Sequence, residues 1–177
     1  NAVTGGLCVR YKAAVLEVLD ANPTMPVVLV GRWAENFEPE RAFGGSPLVI
    51  RDLVEPNEND TNREVFKRSF VRTMTRLDPK KRSVVVLAQV PDVPFHVPRY
   101  LAQEAIRGDL LTNSTAASQF RQRQSGVMSF IRQQQGISGF QVLDPSKVLC
   151  TESSCSIREG NTLLYSDGSH LTIEGAK

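Results

Sequence analysis

Histidine is scarce in this chain, with two among 177 residues, and tryptophan occurs once. That scarcity confines imidazole acid–base chemistry near neutral pH to His96 and His170. Cysteine is sparse too. Three thiols without a Cys-x-x-Cys pair are poor material for zinc, so no metal site is expected. No apolar run is long enough to span a bilayer, so no transmembrane segment is expected. Charge of either sign is not in excess: 21 Lys and Arg face 19 Asp and Glu, a net +2 that gives nucleic-acid binding no support. No Gly-x-Ser-x-Gly elbow occurs. Repeats and low-complexity segments are missing as well. The chain opens at Asn1 with no initiating Met and no signal segment, so a piece of a longer protein is expected.

What is present suffices for a packed core. Apolar residues make up 41% and charged residues 23%, which argues against global disorder and for one domain over residues 1–177. Residues 1–6 read as a loop. Cys8 to Leu19 carries a helical stripe in Val9, Ala13, Leu16 and Leu19, ended by Asn22-Pro23. Val27 to Val30 is a continuous β-branched run, the pattern of a strand buried on both faces. Ser83 to Val90 and Phe140 to Leu143 repeat it. Between them, Thr61 or Asn62 caps a helix to Leu77 whose apolar face is expected to hold Val65, Phe66, Phe70, Val71, Met74 and Leu77. Its Arg63, Lys67, Arg68, Arg72 and Arg76 read as a solvated face. Asn113 or Ser114 caps a second long helix to Gln135.

Less regular stretches fill the gaps. Glu35 to Ser46 reads as irregular, and Pro47 to Val54 as an edge strand or hairpin arm. The prolines at 91, 94 and 98 forbid regular structure there. Helices alternating with apolar strands indicate an α/β fold with a largely parallel sheet. Ligand chemistry in such sheets gathers beyond the carboxyl ends of the strands. Gly31-Arg32-Trp33, the 91–98 loop and the tail after Leu143 all lie there.

The tail holds the chemistry. Asp167 and His170 stand three apart in Tyr165-Ser166-Asp167-Gly168-Ser169-His170-Leu171. A carboxylate so placed orients the imidazole, whose other nitrogen accepts a proton from a nucleophile. A plainer alternative makes Asp167 an N-cap and His170 a surface residue, on a turn that enters a helix near Leu171. Upstream, the four residues between Cys150 and Cys155 fit a small disulfide loop, and a reduced pair remains the alternative. Cys8 is then the odd thiol. Gly44-Gly45-Ser46 is a weak nucleophile site because no strand-turn-helix surrounds it.

These stretches together resemble the SGNH (GDSL-like) hydrolase family. The Asp-x-x-His block with Gly175-Ala176 is similar to that family's last block. A narrower resemblance is to the SGNH domains fused to acyltransferase-3 membrane domains in bacterial O-acyltransferases. It rests on Cys8-Val9-Arg10-Tyr11, Gly31-Arg32-Trp33, Val90-Pro91 with Pro94 and Pro98, Leu143-Asp144-Pro145, and the Cys150 and Cys155 pair. The resemblance implies a three-layer α/β/α, flavodoxin-like fold that lacks its first strand and last helix in this piece. It implies a Ser-His-Asp acyl transfer to a cell-surface glycan such as lipopolysaccharide or peptidoglycan. His170 is the base and Asp167 its partner, and the serine lies outside this chain.

The family's Gly-x-Asn block reads Gly31-Arg32-Trp33 here, so Arg32 and Trp33 become candidates for oxyanion or sugar contacts. Their alternatives are core packing for Trp33 and an ion pair with Glu35 for Arg32. His96 is expected to be structural. No cofactor is implied. The expected partners are a glycan acceptor and an acyl donor delivered by a membrane domain, at the bacterial periplasm or the outer face of the inner membrane. Rival readings are a carbohydrate esterase and a non-catalytic glycan- or partner-binding module.

Overall fold

The computed structural model describes residues 7–38, 47–109, 112 and 114–177, the side chains of 7–9 excepted. The 1–6 loop, Gly44-Gly45-Ser46, the Asn113 cap and the Cys8 thiol lie outside the described residues. Among the described residues the elements run in the order α1 (Leu7–Ala21), β1 (Val27–Val30), α2 (Trp33–Phe37), α3 (Asn62–Leu77), β2 (Val84–Leu87), α4 (Val97–Arg107), β3 (Ser114–Ala116), α5 (Ala117–Ser138), β4 (Gln141–Leu143), α6 (Ser146–Leu149), β5 (Ser154–Ser156), β6 (Arg158–Glu159) and β7 (Thr162–Leu163).

The three apolar runs pair as a parallel sheet in the order β1-β2-β4. Leu29 lies opposite Val86, and Val86 opposite Val142. The sheet places side chains on alternate faces. Val84, Val86 and Phe140 are buried on one face, with Val27, Leu29 and Val142 packed beside them. Val28, Val30 and Leu143, on the other, are 61%, 69% and 60% exposed. The second helical layer that a three-layer fold requires does not cover these side chains among the described residues. The family's α/β architecture with its parallel sheet is otherwise in place.

Aromatic side chains fill the covered face. Phe66 and Phe70 from α3 meet Trp33 edge-on at 6.2 and 6.3 Å between ring centroids. Phe37 and Phe130 complete the cluster against Phe66. Each buried Phe contributes roughly 1.5–3 kcal/mol, so this cluster is the main tie between α2, α3 and α5. Helix α3 starts as its sequence asks. The Thr61 hydroxyl accepts from the Glu64 N–H, and the Glu64 carboxylate accepts from the Thr61 N–H at 2.7 Å.

Several expectations are corrected. Residues 47–54 form no strand. The Asn62 amide takes the place of a strand neighbour, accepting from Ile50 N–H at 3.2 Å and donating to Leu48 O at 2.7 Å. The strand expected over Ser83–Val90 is shorter, at Val84–Leu87. Trp33–Phe37 is helical, so the irregular stretch begins later than expected. The prolines do not exclude a helix: Pro98 sits in the first turn of α4, where a missing N–H costs no hydrogen bond. The long helix starts at Ala117, after the short strand β3. Gly136 stays inside α5, and Gly139 ends it in the left-handed region at φ +80°.

The arginines of α3 are not simply solvated. Arg68 and Arg72 reach Asp52 at 2.9 and 2.8 Å, and Arg68 also reaches Asp60 at 2.5 Å. They clamp the 47–60 segment onto the helix. Cys150 and Cys155 are joined by a disulfide. Arg121 donates to the carbonyls of Thr151 and Glu152 inside that loop. No helix among the described residues is long and apolar enough to cross a membrane.

Candidate active site at the strand ends

Two loops make the site, and backbone hydrogen bonds stitch them together. One is the 91–98 loop after β2. The other is the 165–171 loop after β7. Val93 N–H donates to Gly168 O at 2.8 Å, and Val97 N–H to Asp167 O at 3.4 Å. Below them Val93, Val97, Leu101, Ile157, Leu164 and Tyr165 form a separate apolar cluster. That cluster fixes the loop pair as a unit.

The 165–171 loop closes on itself. Ser166 N–H donates to His170 O at 2.9 Å, and Tyr165 bridges to Leu171. Leu171 therefore turns back as a bridge instead of entering a helix, which corrects the expectation for that residue. Gly175 packs so tightly that a Cβ there would lie 2.2 Å from Leu164 O.

Asp167 and His170 meet as the spacing suggests. His170 Nδ1 is 2.6 Å from Asp167 Oδ2. Asp167 Oδ1 accepts from the N–H groups of Ser169 at 2.6 Å and His170 at 2.8 Å. Burial pushes the Asp167 carboxyl up. The Ser169 N–H, the His170 ring and the His170 N–H outweigh it and hold the group well below the usual carboxylate range. The carboxylate is thus ionised and fixed, and it orders the imidazole. The other ring nitrogen, Nε2, has no hydrogen-bond partner among the described residues. Asp167 thus accepts from two N–H groups of the turn with one oxygen and holds His170 with the other, and no helix follows for it to cap.

A cavity of about 340 Å³ opens beside this pair. Arg32, Phe95, His96, Asp167 and Gly168 are among its walls. His96 also begins α4, its Nδ1 lying 3.5 Å from Arg99 N. The structural role expected for it is accompanied by a place in the cleft wall. Arg32 and Trp33 part company. Arg32 lines the cavity and pairs with Glu35 at 2.9 Å. Trp33 packs on the aromatic core, and its Nε1 donates to Leu87 O at 2.7 Å.

Sequence reasoning did not single out Asp92, Gln89 or Arg123. The Asp92 side chain, directly after Pro91, is 5% exposed, and its Oδ2 accepts from Gln89 Nε2 at 2.6 Å. Burial raises its carboxyl above the usual range, against lowering by Gln89, Arg32 and Arg123. Tyr165 is fully buried with an unpartnered hydroxyl, which burial and then the Asp92 charge push up. An acid in the loop beyond a strand's carboxyl end was a usable signal. Arg123 carried none, being one of several arginines on α5.

The structure is similar to one titled "Structure of Salmonella ser. Paratyphi A lipopolysaccharide acetyltransferase periplasmic domain", with a TM-score of 0.58 and 14% sequence identity. The similarity covers 93% of this chain and 57% of that one, so this chain spans little more than half of its length. At that identity the likeness speaks for the fold. No curated protein matches the sequence. A family model described as "SGNH domain (fused to AT3 domains)" matches residues 2–177. The chain therefore belongs to the family of SGNH domains that are fused to AT3 domains.

Proposed function

We propose that this chain carries the base and the orienting acid of a serine acyltransferase that modifies a cell-surface glycan. The observation behind this reading is the 2.6 Å contact between His170 Nδ1 and Asp167 Oδ2, with Nε2 left without a partner. Family membership and the resemblance to a lipopolysaccharide acetyltransferase domain support it. The nucleophilic serine belongs to the protein outside this chain.

On this reading the steps are those of serine acyl transfer. The serine hydroxyl attacks the acyl carbonyl while His170 Nε2 takes its proton. Asp167 keeps Nδ1 protonated and balances the imidazolium. Arg32 faces the oxyanion of the tetrahedral intermediate. Collapse expels the leaving group with the proton from His170. A sugar hydroxyl then attacks the acyl-serine, gives its proton to His170, and the serine recovers it as the ester leaves. Trp33 acts by packing and not by sugar stacking.

On this reading the domain works on the extracytoplasmic side, in the bacterial periplasm, with the acyl group delivered by a membrane acyltransferase domain. A carbohydrate esterase is the second reading. It is favoured by the 71% exposure of the His170 side chain, which admits water.

The test uses the intact protein with a fluorophosphonate probe and a glycan acceptor. Wild type is expected to label one serine and to transfer acyl groups. H170A is expected to lose at least about 1,000-fold in both rates, and D167N about 100-fold or more, with folding intact. Labelling of no serine would leave a non-catalytic binding module. Hydrolysis without transfer would leave the esterase.

A further inference from the structure

Behind the cleft, four charged side chains alternate in sign around a closed circuit. Arg32 Nη2 is 2.9 Å from Glu35 Oε1 and 3.9 Å from Asp92 Oδ1. Arg123 Nη2 is 4.0 Å from the same Glu35 oxygen, and Arg123 Nε is 3.7 Å from Asp92 Oδ2. Three different parts of the fold contribute: the start of α2, the loop after β2, and α5. Side-chain exposure runs 5% for Asp92, 13% for Glu35, 18% for Arg123 and 43% for Arg32. Arg32 is thus the corner that reaches the cleft, and the other three stand behind it.

The circuit is uneven. Only the Arg32–Glu35 edge is within hydrogen-bonding distance, and the other three exceed it. Asp92 Oδ1 and Arg123 Nε and Nη2 are consequently buried without a hydrogen-bond partner. Groups in that condition are costly, and charge neutrality is what makes them tolerable. Two cations serve two acids. Without Arg123, Arg32 would be the sole counter-ion of both Glu35 and Asp92. It would then be drawn inward, away from the cavity it lines.

We infer that Arg123 is a positioning residue for Arg32. It takes a share of Glu35 and Asp92, and this leaves the Arg32 guanidinium at the cleft wall for an oxygen that gains negative charge. Arg123 reaches the substrate only through Arg32. The inference rests on the acyl-transfer reading, and the experiment separates the two.

The full-length protein is assayed with 4-nitrophenyl acetate as acyl donor, in wild type, H170A, R32M, R123M, R123K and R32M/R123M. H170A tests the acyl-transfer reading alone: retention of wild-type turnover would refute that reading. R32M is expected to lower kcat about 100-fold with little change in KM. R123M is expected to lower kcat about tenfold, again with KM held, and R123K to restore most of the loss. The double variant is expected to be no slower than R32M, because Arg123 acts through Arg32. Multiplied losses in the double variant, or an unchanged kcat in R123M, would overturn the inference. Solvent exchange of the Arg32 Nε–H, followed by NMR with labelled arginine, reads the same claim without turnover. Exchange is expected to slow in R123M as both acids grip Arg32, and unchanged exchange would count against it.

Discussion

A carboxylate in this protein is defined by who donates to it. Asp167 receives two backbone N–H groups and one imidazole, so its charge is fixed beside His170. Asp52 receives Arg72, Arg68 and the N–H groups of Val54 and Glu55, which overcome burial and hold it well below the usual carboxylate range. The sign for stability follows. A depressed folded pKa adds stability above the unfolded value, near 4 for Asp, and the gain is lost as pH falls towards the folded value. Urea denaturation across pH is expected to show stability falling below about pH 4. D52N is expected to flatten that fall and to cost about 2 kcal/mol at neutral pH, the scale of a hydrogen bond to a charged group. An unchanged acid limb would show that Asp52 does not carry it. The Asp167–His170 pair was legible because its members stand three positions apart on one turn. The Arg123 contacts were not, since Glu35 and Asp92 lie far upstream and only the fold joins them.

Among elements, α3 and the three sheet strands were readable from periodicity, because apolar spacing and the Thr61 cap agree. Helix α4 was hidden by its prolines. Its signal was positional: a proline in the first turn is permitted, whereas one in the interior is not. The 47–54 segment misled for the opposite reason, since its apolar residues suit a strand while a side chain, Asn62, supplies the partner. The closing turn is set by Gly175. Replacement by alanine forces a methyl group onto Leu164 O, 2.2 Å away. G175A is expected to destabilise the protein by at least about 2 kcal/mol and to loosen the Asp167 loop, seen as a lower Tm and faster amide exchange at Ser166 and Thr172. A wild-type Tm would mean that the backbone there yields freely.

At the scale of the molecule the sheet is lopsided. One face is sealed by aromatic rings, and the other presents Val28, Val30 and Leu143 to solvent. Contiguous exposed apolar surface favours association. The 177-residue chain taken alone is expected to self-associate in gel filtration at micromolar concentration. V28K/V30K is expected to shift it to monomer without lowering its helix content. A monomeric wild-type chain would show that this face is too small to drive pairing. Alternation in the sequence could not reveal the asymmetry. Runs such as Val27 to Val30 are apolar at every position and read as buried on both sides.

Trp33 has a further use. It is the sole tryptophan, and its Nε1 is bonded to Leu87 O where the two strands end. Next to it in sequence stands Arg32, at the cleft wall. The indole is therefore a native fluorophore placed at the joint between core and cleft. Its emission wavelength and quenching report on that joint alone, with no label to introduce and no second tryptophan in this chain to subtract.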